Sequence, residues 1–532
     1  MPRMPRTTPR PLAPSLPLTR RTVLKLGAAA SVSSLAVPVL GTSPAIAAQV
    51  PEYPFTLGVA SGDPEPDGVV LWTRLAPDPL VPDGGMPPQE YRVLWQVATD
   101  EQFTDVVRAG SARAHPDWAH SVHVEVSGLR PDRVYFYRFR LGQHVSAVGR
   151  TRTFPSVGAP VRSLEMATVS CQALFAGRFA AYRHLASRDL DLLVHLGDYI
   201  YEGDGPASPP AGPDRRHLPF RTARTLEDYR VRHAQYRLDP DLQAAHASAP
   251  FLCVPDDHEV VNNAAGDYGA GGDSTPEVFL PRRAAAYHAY YEHLPLRRRS
   301  MPQGPDMALY RRLRYGGLVE LNLLDTRQYR SPQVDGPTFQ PLDPEAYEPS
   351  RTMTGPPQER WLLAGLAQSR ARWNVIAQQV YMAAIDVDGG EGASFNTDKW
   401  DGYPAARGRI TGFLHRRRVR NPVVLSGDVH AAMVNDVTLT HEPTSPVVAT
   451  EFLGSSITSG KHNNPLFEAA MAHNPQMRYY NGRERGYLHC TVGQDLWRSD
   501  LWFVDDPLDA ASAVRRQASY VVEDGRVGAS PY

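Results

Sequence analysis

Three apolar runs in this chain each end in a knot of acidic and imidazole side chains, and that repetition restricts the fold more than any other feature. Leu190 to Leu196 leads into Gly197-Asp198-Tyr199-Ile200-Tyr201-Glu202. Phe251 to Val254 leads into Asp256-Asp257-His258-Glu259, and Val423 to Leu425 into Ser426-Gly427-Asp428-Val429-His430. Each run has the length and composition of a buried strand. Each polar cluster therefore stands at a strand tip, where α/β sheets present their ligands. A fourth run, Leu164 to Ser170, ends at Cys171-Gln172.

The residue types at these tips point to metal. Three carboxylates and an imidazole within Asp256 to Glu259 repel one another unless a cation sits among them. Asp428 and His430 are two apart, so on an extended segment both side chains face one side. A thiolate at Cys171 would hold a transition metal and lose its proton to it. Tyr201 follows Asp198 by three residues and can turn back toward the same point, where its phenolate suits Fe(III). Carboxylates suit a hard cation such as calcium.

The chain has 532 residues, 42% of them apolar, enough for more than one domain. Its formal net charge of −1 supplies no basic field, so sequence-specific nucleic-acid binding is not expected. Three cysteines, Cys171, Cys253 and Cys490, exclude a disulfide scaffold. No P-loop or dinucleotide fingerprint is present. Residues 1–47 read as an export signal: Arg20-Arg21 precedes an apolar run through Leu40, and Ala45-Ile46-Ala47 offers a cleavage site. The twin arginine resembles a Tat signal, which makes the Tat translocase a transient partner and the mature chain a secreted, extracytoplasmic one.

Residues 48–158 carry short strand-like runs separated by turn signals, such as Val69 to Thr73, Tyr91 to Val97 and Val134 to Phe139. They predict a small antiparallel sandwich. Leu129-Arg-Pro-Asp-Arg-Val-Tyr135 resembles the corner of a fibronectin type III domain. After a linker at Pro155 to Pro160, strand runs alternate with helical stretches over Arg178–Ala186, Pro281–His293 and Gln358–Ala371, so residues 159–532 predict an α/β domain. Three Pro- and Gly-rich inserts, 203–220, 262–276 and 329–356, are long enough to border a site.

Taken in order, Ser170-Cys-Gln172, Gly197-Asp-Tyr-Ile-Tyr-Glu202, Asp256-Asp-His-Glu-Val-x-Asn-Asn263 and Ser426-Gly-Asp-Val-His430 resemble the PhoD-like alkaline phosphatase family. That family is a branch of the calcineurin-type metallophosphoesterases and includes phospholipase D-like actinobacterial members. Gly58-Val-Ala-Ser-Gly-Asp-Pro64, Val70-Leu-Trp-Thr-Arg74, Trp400-Asp-Gly-Tyr-Pro404 and Glu451-Phe-x-x-Ser-Ser-Ile-Thr-Ser459 support the likeness. The resemblance implies a four-layer catalytic domain, two mixed sheets flanked by helices, behind a fibronectin-III-like sandwich. It implies a centre of Fe(3+) with Ca(2+). Cys171, Asp198, Tyr201 and His430 match iron ligands, with Asp198 bridging to calcium. Asp257 and Asp428 match further metal ligands, Asn262 or Asn263 completes the calcium shell, and Asp256 and Glu259 stand as additional donors. His258 matches the histidine that assists the leaving group. Arg215, Arg216, Arg221 and Arg224 are candidates for gripping phosphate, or for a solvated basic surface. The expected activity is secreted hydrolysis of phosphate monoesters or diesters. The alternative is a phosphodiesterase of phospholipase D type working at a phospholipid surface.

Overall fold

The computed structural model describes residues 52–532 apart from 270–272, 390, 391, 443 and 461–464. The export signal expected over 1–47 lies outside the described residues.

The four tip-bearing runs do form strands, and they are parallel within their sheets. Ser163–Val169, Leu192–His195 and Phe251–Cys253 lie side by side, with His195 level with both Val169 and Cys253. They form the centre of a ten-stranded sheet. In a seven-stranded sheet, Val319–Leu323, Trp373–Ala377, Pro422–Ser426 and Val447–Leu453 are likewise parallel neighbours. Such strands are buried on both faces, which is why Leu192–His195, Phe251–Cys253 and Pro422–Ser426 read as short, mostly apolar runs.

Alternate residues go to opposite sides. Leu164, Met166, Leu192, Val194 and Leu252 meet Leu321, Leu323, Val375, Val423 and Leu425 of the other sheet in one core. Ala167, Val169, Leu193 and Phe251 face outward onto Tyr182, Tyr229, Tyr236 and Tyr290 from the helices Ala180–Ala186, Leu226–Arg237 and Pro276–His293. Ile376 and Val424 face Leu362 and Leu366 of helix Gly355–Gln368, and Ile410 and Leu414 of helix Pro404–Arg417. The sheets therefore pack face to face, and helices cover their outer sides. The chain is a mixed α/β fold.

The N-terminal region differs from a self-contained sandwich. Tyr91–Ala98, Val106–Ala114 and Val134–Leu141 make one antiparallel layer. The layer opposite, Val59–Glu65, Gly68–Arg74 and Ser121–Val126, is the end of the ten-stranded sheet: Val59–Glu65 pairs in parallel with Phe251–Cys253. The two layers enclose Val59, Leu71, Val93, Val97, Val124 and Phe139. An open strand edge next to Phe251–Cys253 would be left unpaired without this extension. The sheet crosses the boundary expected at 158, and the described residues form one compact unit. At the corner, the backbone N–H of Arg130 donates to Tyr135 Oη at 3.0 Å.

Candidate metal and phosphoester site

The tips converge at the carboxyl ends of the parallel strands. Two of them are stitched together directly: Cys171 N–H donates to the carbonyl of Gly197, and Gln172 N–H to that of Asp198, both at 3.1 Å. Cys171 (φ +57°), Asp198 (+57°), Asp428 (+68°) and His430 (+55°) all hold left-handed backbone. Non-glycine residues enter that region at a cost of about 1–3 kcal/mol each, and such residues collect at functional sites. Gly197 shows why the tip is built this way. At φ +109° a Cβ would come within 2.4 Å of Asp256 Cβ and 2.7 Å of Asp256 N. Gly197→Ala is expected to cost about 2–4 kcal/mol, from backbone strain plus overpacking, and denaturant unfolding measures it. A variant within ~0.5 kcal/mol of the parent would show that the tips yield freely.

Cys171, Asp198 and His430 bring ligand atoms within 4.8 Å of one another, and so do Asp198, Asp257 and His258. Tyr201 joins the first group: its hydroxyl donates to Asp198 Oδ2 at 2.8 Å and lies 3.0 Å from His430 Nε2. Ser459 Oγ is 2.6 Å from that hydroxyl and 2.7 Å from the Cys171 carbonyl. Asp198 belongs to both groups. Its Oδ1, like Oδ1 of Asp257 and Oδ2 of Asp256, is buried with no hydrogen-bond partner among the described residues. Burial pushes the Asp198 carboxyl well up, and the carboxylates of Asp257, Glu259 and Asp428 add to that beyond the opposing effect of His258. Burial likewise pushes up the Cys171 thiol and the Tyr201 phenol. Orphaned buried oxygens beside a thiol, a phenol and an imidazole are a donor set that a cation satisfies.

The third acidic group, Asp256, Asp257 and Asp428, already contains protein cations. Arg327, from the tip of the strand Val319–Leu323, is buried. It pairs with Asp256, with Asp428 Oδ1 at 3.1 Å, with Asp398 Oδ1 at 3.2 Å and with Asp257 Oδ2 at 3.5 Å. Lys399 pairs with Asp428 Oδ2 and, at 2.8 Å, with Asp398 Oδ2. Burial would raise Asp257, but Arg327 and His258 outweigh it and hold the carboxyl below the usual range.

Glu259 belongs to none of these three groups among the described residues. Its two oxygens accept the backbone N–H groups of Tyr199 (2.6 Å), Asp256 (2.8 Å) and Asp198 (3.2 Å). It locks two tips together from below. Glu202 does the equivalent for His258: its Oε2 is 2.7 Å from His258 Nδ1, and its Oε1 accepts the Asn262 N–H at 2.9 Å. Burial lowers the His258 pKa, but the carboxylates of Glu202, Asp198 and Asp257 outweigh burial and hold the imidazolium well above its usual range.

A cavity of about 230 Å³ opens over these groups, lined by Asp198, Asp257, His258, Asn262, Asn263, Asp428 and His430 together with Thr338, Phe339, Asn396, Lys399, Val429 and Phe467. All eight of the sequence-derived metal candidates and His258 are thus at or beside one site. Of the two asparagines, Asn262 is exposed, whereas Asn263 is half-buried and gives its N–H to Asp257 Oδ2 at 2.6 Å. The inserts 262–276 and 329–356 supply part of the wall; insert 203–220 does not. None of the four arginines offered as phosphate grips lines the cavity, and Arg216, Arg221 and Arg224 are exposed, as a solvated basic surface is. Arg215 pairs with Asp239 (2.6 Å), Arg221 with Asp228 (2.6 Å) and Arg224 with Asp273 (2.9 Å), while Arg216 stacks on Phe220. All three cysteines are free and buried.

The sequence reading missed Arg327, Asp398, Lys399 and the pairing role of Glu202. Arg327 carried a usable signal: Asp325-Thr-Arg327 follows a strand-like run, Leu318 to Leu324, as at the other tips.

Residues 166–501 match the family model described as PhoD-like phosphatase, and residues 41–155 match that of PhoD-like phosphatase, N-terminal domain. The chain is 46% identical over 481 residues to alkaline phosphatase D of Bacillus subtilis (strain 168), which spans 90% of this chain and 82% of that protein. A solved structure of PhoD superposes with a TM-score of 0.87 at 45% identity, over 91% of this chain and 93% of that one. A family model that matches well over half of the chain, and a relative 46% identical over 90% of it, show that this chain belongs to the PhoD-like phosphatase family.

Proposed function

We propose that this chain is a metal-dependent phosphoesterase that works at the cavity above Asp198. Hydrolysis of phosphate esters follows from its family and from 46% identity to an alkaline phosphatase D. The observation that carries the metal reading is Asp198, one buried carboxylate shared by the Cys171/His430 group and the Asp257/His258 group. Cys171, Tyr201 and His430 with Asp198 would hold Fe(III). Asp198, Asp257, Asp428 and Asn263 would hold calcium, whose preference is for oxygen donors.

Cations bound there would neutralise phosphoryl oxygens and lower the pKa of an attacking water. The rest falls to the chain's own side chains. Glu202 fixes His258 through Nδ1, so the remaining ring nitrogen can deliver a proton to the departing oxygen. Glu259 keeps the tips of Asp198 and Asp256 in register, and attack proceeds in line with the leaving group.

The two packed sheets with helices outside support a calcineurin-like four-layer arrangement, and the Arg130–Tyr135 corner supports a fibronectin-III-like origin for the N-terminal layer. Export by the Tat route rests on Arg20-Arg21 and the A-x-A site, and suits a protein that folds around its metal before leaving. Phe339 and Phe467 on the cavity wall favour keeping the phospholipase D-type diester reading as the second one.

Purified protein is expected to be coloured by thiolate or phenolate charge transfer to iron, to contain iron and calcium by elemental analysis, and to hydrolyse p-nitrophenyl phosphate or its bis ester. Exhaustive chelation should abolish both colour and turnover, and Cys171→Ser should lose the iron. Full activity in a colourless, chelated preparation would remove the metal reading. Parallel assay on phosphatidylcholine separates the two ester readings.

A further inference from the structure

Of the 56 lysines and arginines in the chain, only three are lysines: Lys25, Lys399 and Lys461. Lys399 is the one lysine among the described residues, and it is buried in the wall of the cavity over Asp198. Elsewhere, at buried positions as at exposed ones, the chain places arginine. Arg327 and Arg330 hold the same Asp398 that Lys399 holds. The cavity is otherwise acidic, with Asp198, Asp257 and Asp428 in its lining. Lys399 and His258 are its cationic side chains among the described residues, apart from the candidate ligand His430. A guanidinium is a planar fork that stays where its bidentate partners fix it. An ammonium is a compact point charge on a flexible stem, and it can exchange one oxygen for another. Asp398 does not depend on the exchange, since Arg327, Arg330 and, at 2.7 Å, Gln333 also hold it. Asp428 keeps Arg327.

We propose that Lys399 reads the charge of the phosphoryl group: on substrate binding its ammonium passes from Asp428 to a non-bridging phosphoryl oxygen, and this contact favours doubly charged monoesters over singly charged diesters. The inference rests on the phosphoesterase reading and adds to it the residue that sets the monoester-to-diester ratio. His258 serves the departing oxygen and does not distinguish the two ester classes by charge, whereas a cation on a non-bridging oxygen does.

The test uses metal-loaded Lys399→Met and Lys399→Arg, each checked for iron and calcium content and for thermal stability. For Lys399→Met, kcat/KM on p-nitrophenyl phosphate should fall about 100-fold and on bis(p-nitrophenyl) phosphate about tenfold, as expected for losing a charge-assisted bond to a dianion and to a monoanion. By calorimetry, inorganic phosphate should bind at least about tenfold more weakly. Lys399→Arg keeps the charge and should recover part of the ratio. Equal losses on both esters, or loss of metal with phosphate binding unchanged, would overturn the proposal and leave Lys399 a structural counter-ion. If the parent protein hydrolyses neither ester, the phosphoesterase reading fails by itself; phosphate affinity unchanged by Lys399→Met would then sink this inference separately.

Discussion

Replacing Asp198 by asparagine is expected to lower turnover about ten-thousand-fold while leaving the metal-stripped protein at least as stable as its parent. Asp198 is common to both ligand groups, so one substitution removes an anionic donor from each. Losing the metal-dependent stabilisation of a phosphoryl transition state is a matter of several kcal/mol, and each 1.36 kcal/mol is about tenfold. Iron and calcium content should fall with activity. The stability half follows from electrostatics. Without metal, Asp198 is a buried carboxyl whose pKa is pushed up by desolvation and by three neighbouring carboxylates. A carboxyl raised in the folded state contributes stability that is complete below its unfolded pKa and is lost as pH rises through the folded value. Above the unfolded pKa the raised Asp198 carboxyl therefore works against folding, and a neutral amide does not. Thermal melts of chelator-treated protein should show Asp198→Asn melting at or above the parent, and the parent itself gaining stability on mild acidification in this respect. A variant that melts well below the parent after chelation would mean that Asp198 holds the tips by hydrogen bonds, with the metal secondary. The same variant retaining colour and turnover would end the shared-ligand assignment.

Much of this site was legible because the strands Leu192–His195, Phe251–Cys253 and Pro422–Ser426 are buried and mostly apolar, so the Asp and His clusters that follow them read as their tips. Cys171, Asp198, Asp257 and His430 follow from that logic. Their countercharges do not, because Arg327, Asp398 and Lys399 reach the centre from the other sheet and from the segment before Trp400, and their pairing exists only in three dimensions. Trp400 was visible as a motif, yet its role is packing: its Nε1 donates to Gln378 Oε1 at 3.1 Å, fixing the segment that carries Lys399. The helix Leu226–Arg237 gave no apolar stripe, since it buries Asp228, Arg232, His233 and Arg237 among its faces. Such a polar face is stable only because partners satisfy it: Arg232 alone donates to the carbonyls of Gly203, Leu218, Pro219 and Arg221. Periodicity is blind to that. The N-terminal boundary blurred for a related reason. Alternating strands announce a two-layer unit, but the sequence of Val59–Glu65 does not say which neighbour its free edge will choose.

His258→Ala should cost about 100- to 10,000-fold in kcat on an alkyl phosphate and less than about tenfold on p-nitrophenyl phosphate, the range spanned by general acid catalysis when the departing oxygen does or does not need a proton. The contrast separates an acid from a residue that merely shapes the cavity, which would depress both substrates alike. Glu202 supplies the control on the proton. Burial pulls the imidazole pKa down, and three carboxylates overcome it, Glu202 foremost, with Asp198 and Asp257 behind. Cations held by Asp198 and Asp257 would offset their charges and leave Glu202 to keep His258 protonated. The acid form exists below the folded pKa and is lost as pH rises through it, so a raised value carries proton donation into the alkaline range. Glu202→Gln keeps a hydrogen-bond acceptor near Nδ1 and removes the charge. The falling limb of the kcat–pH profile on the alkyl ester should then move to lower pH by about one to three units, the usual effect of an opposite charge at this distance. With p-nitrophenyl phosphate the limb should hardly move. An unshifted limb in Glu202→Gln on both esters would assign the alkaline activity to some group other than the His258 imidazolium. The cavity over Asp198 would then have to find its acid elsewhere.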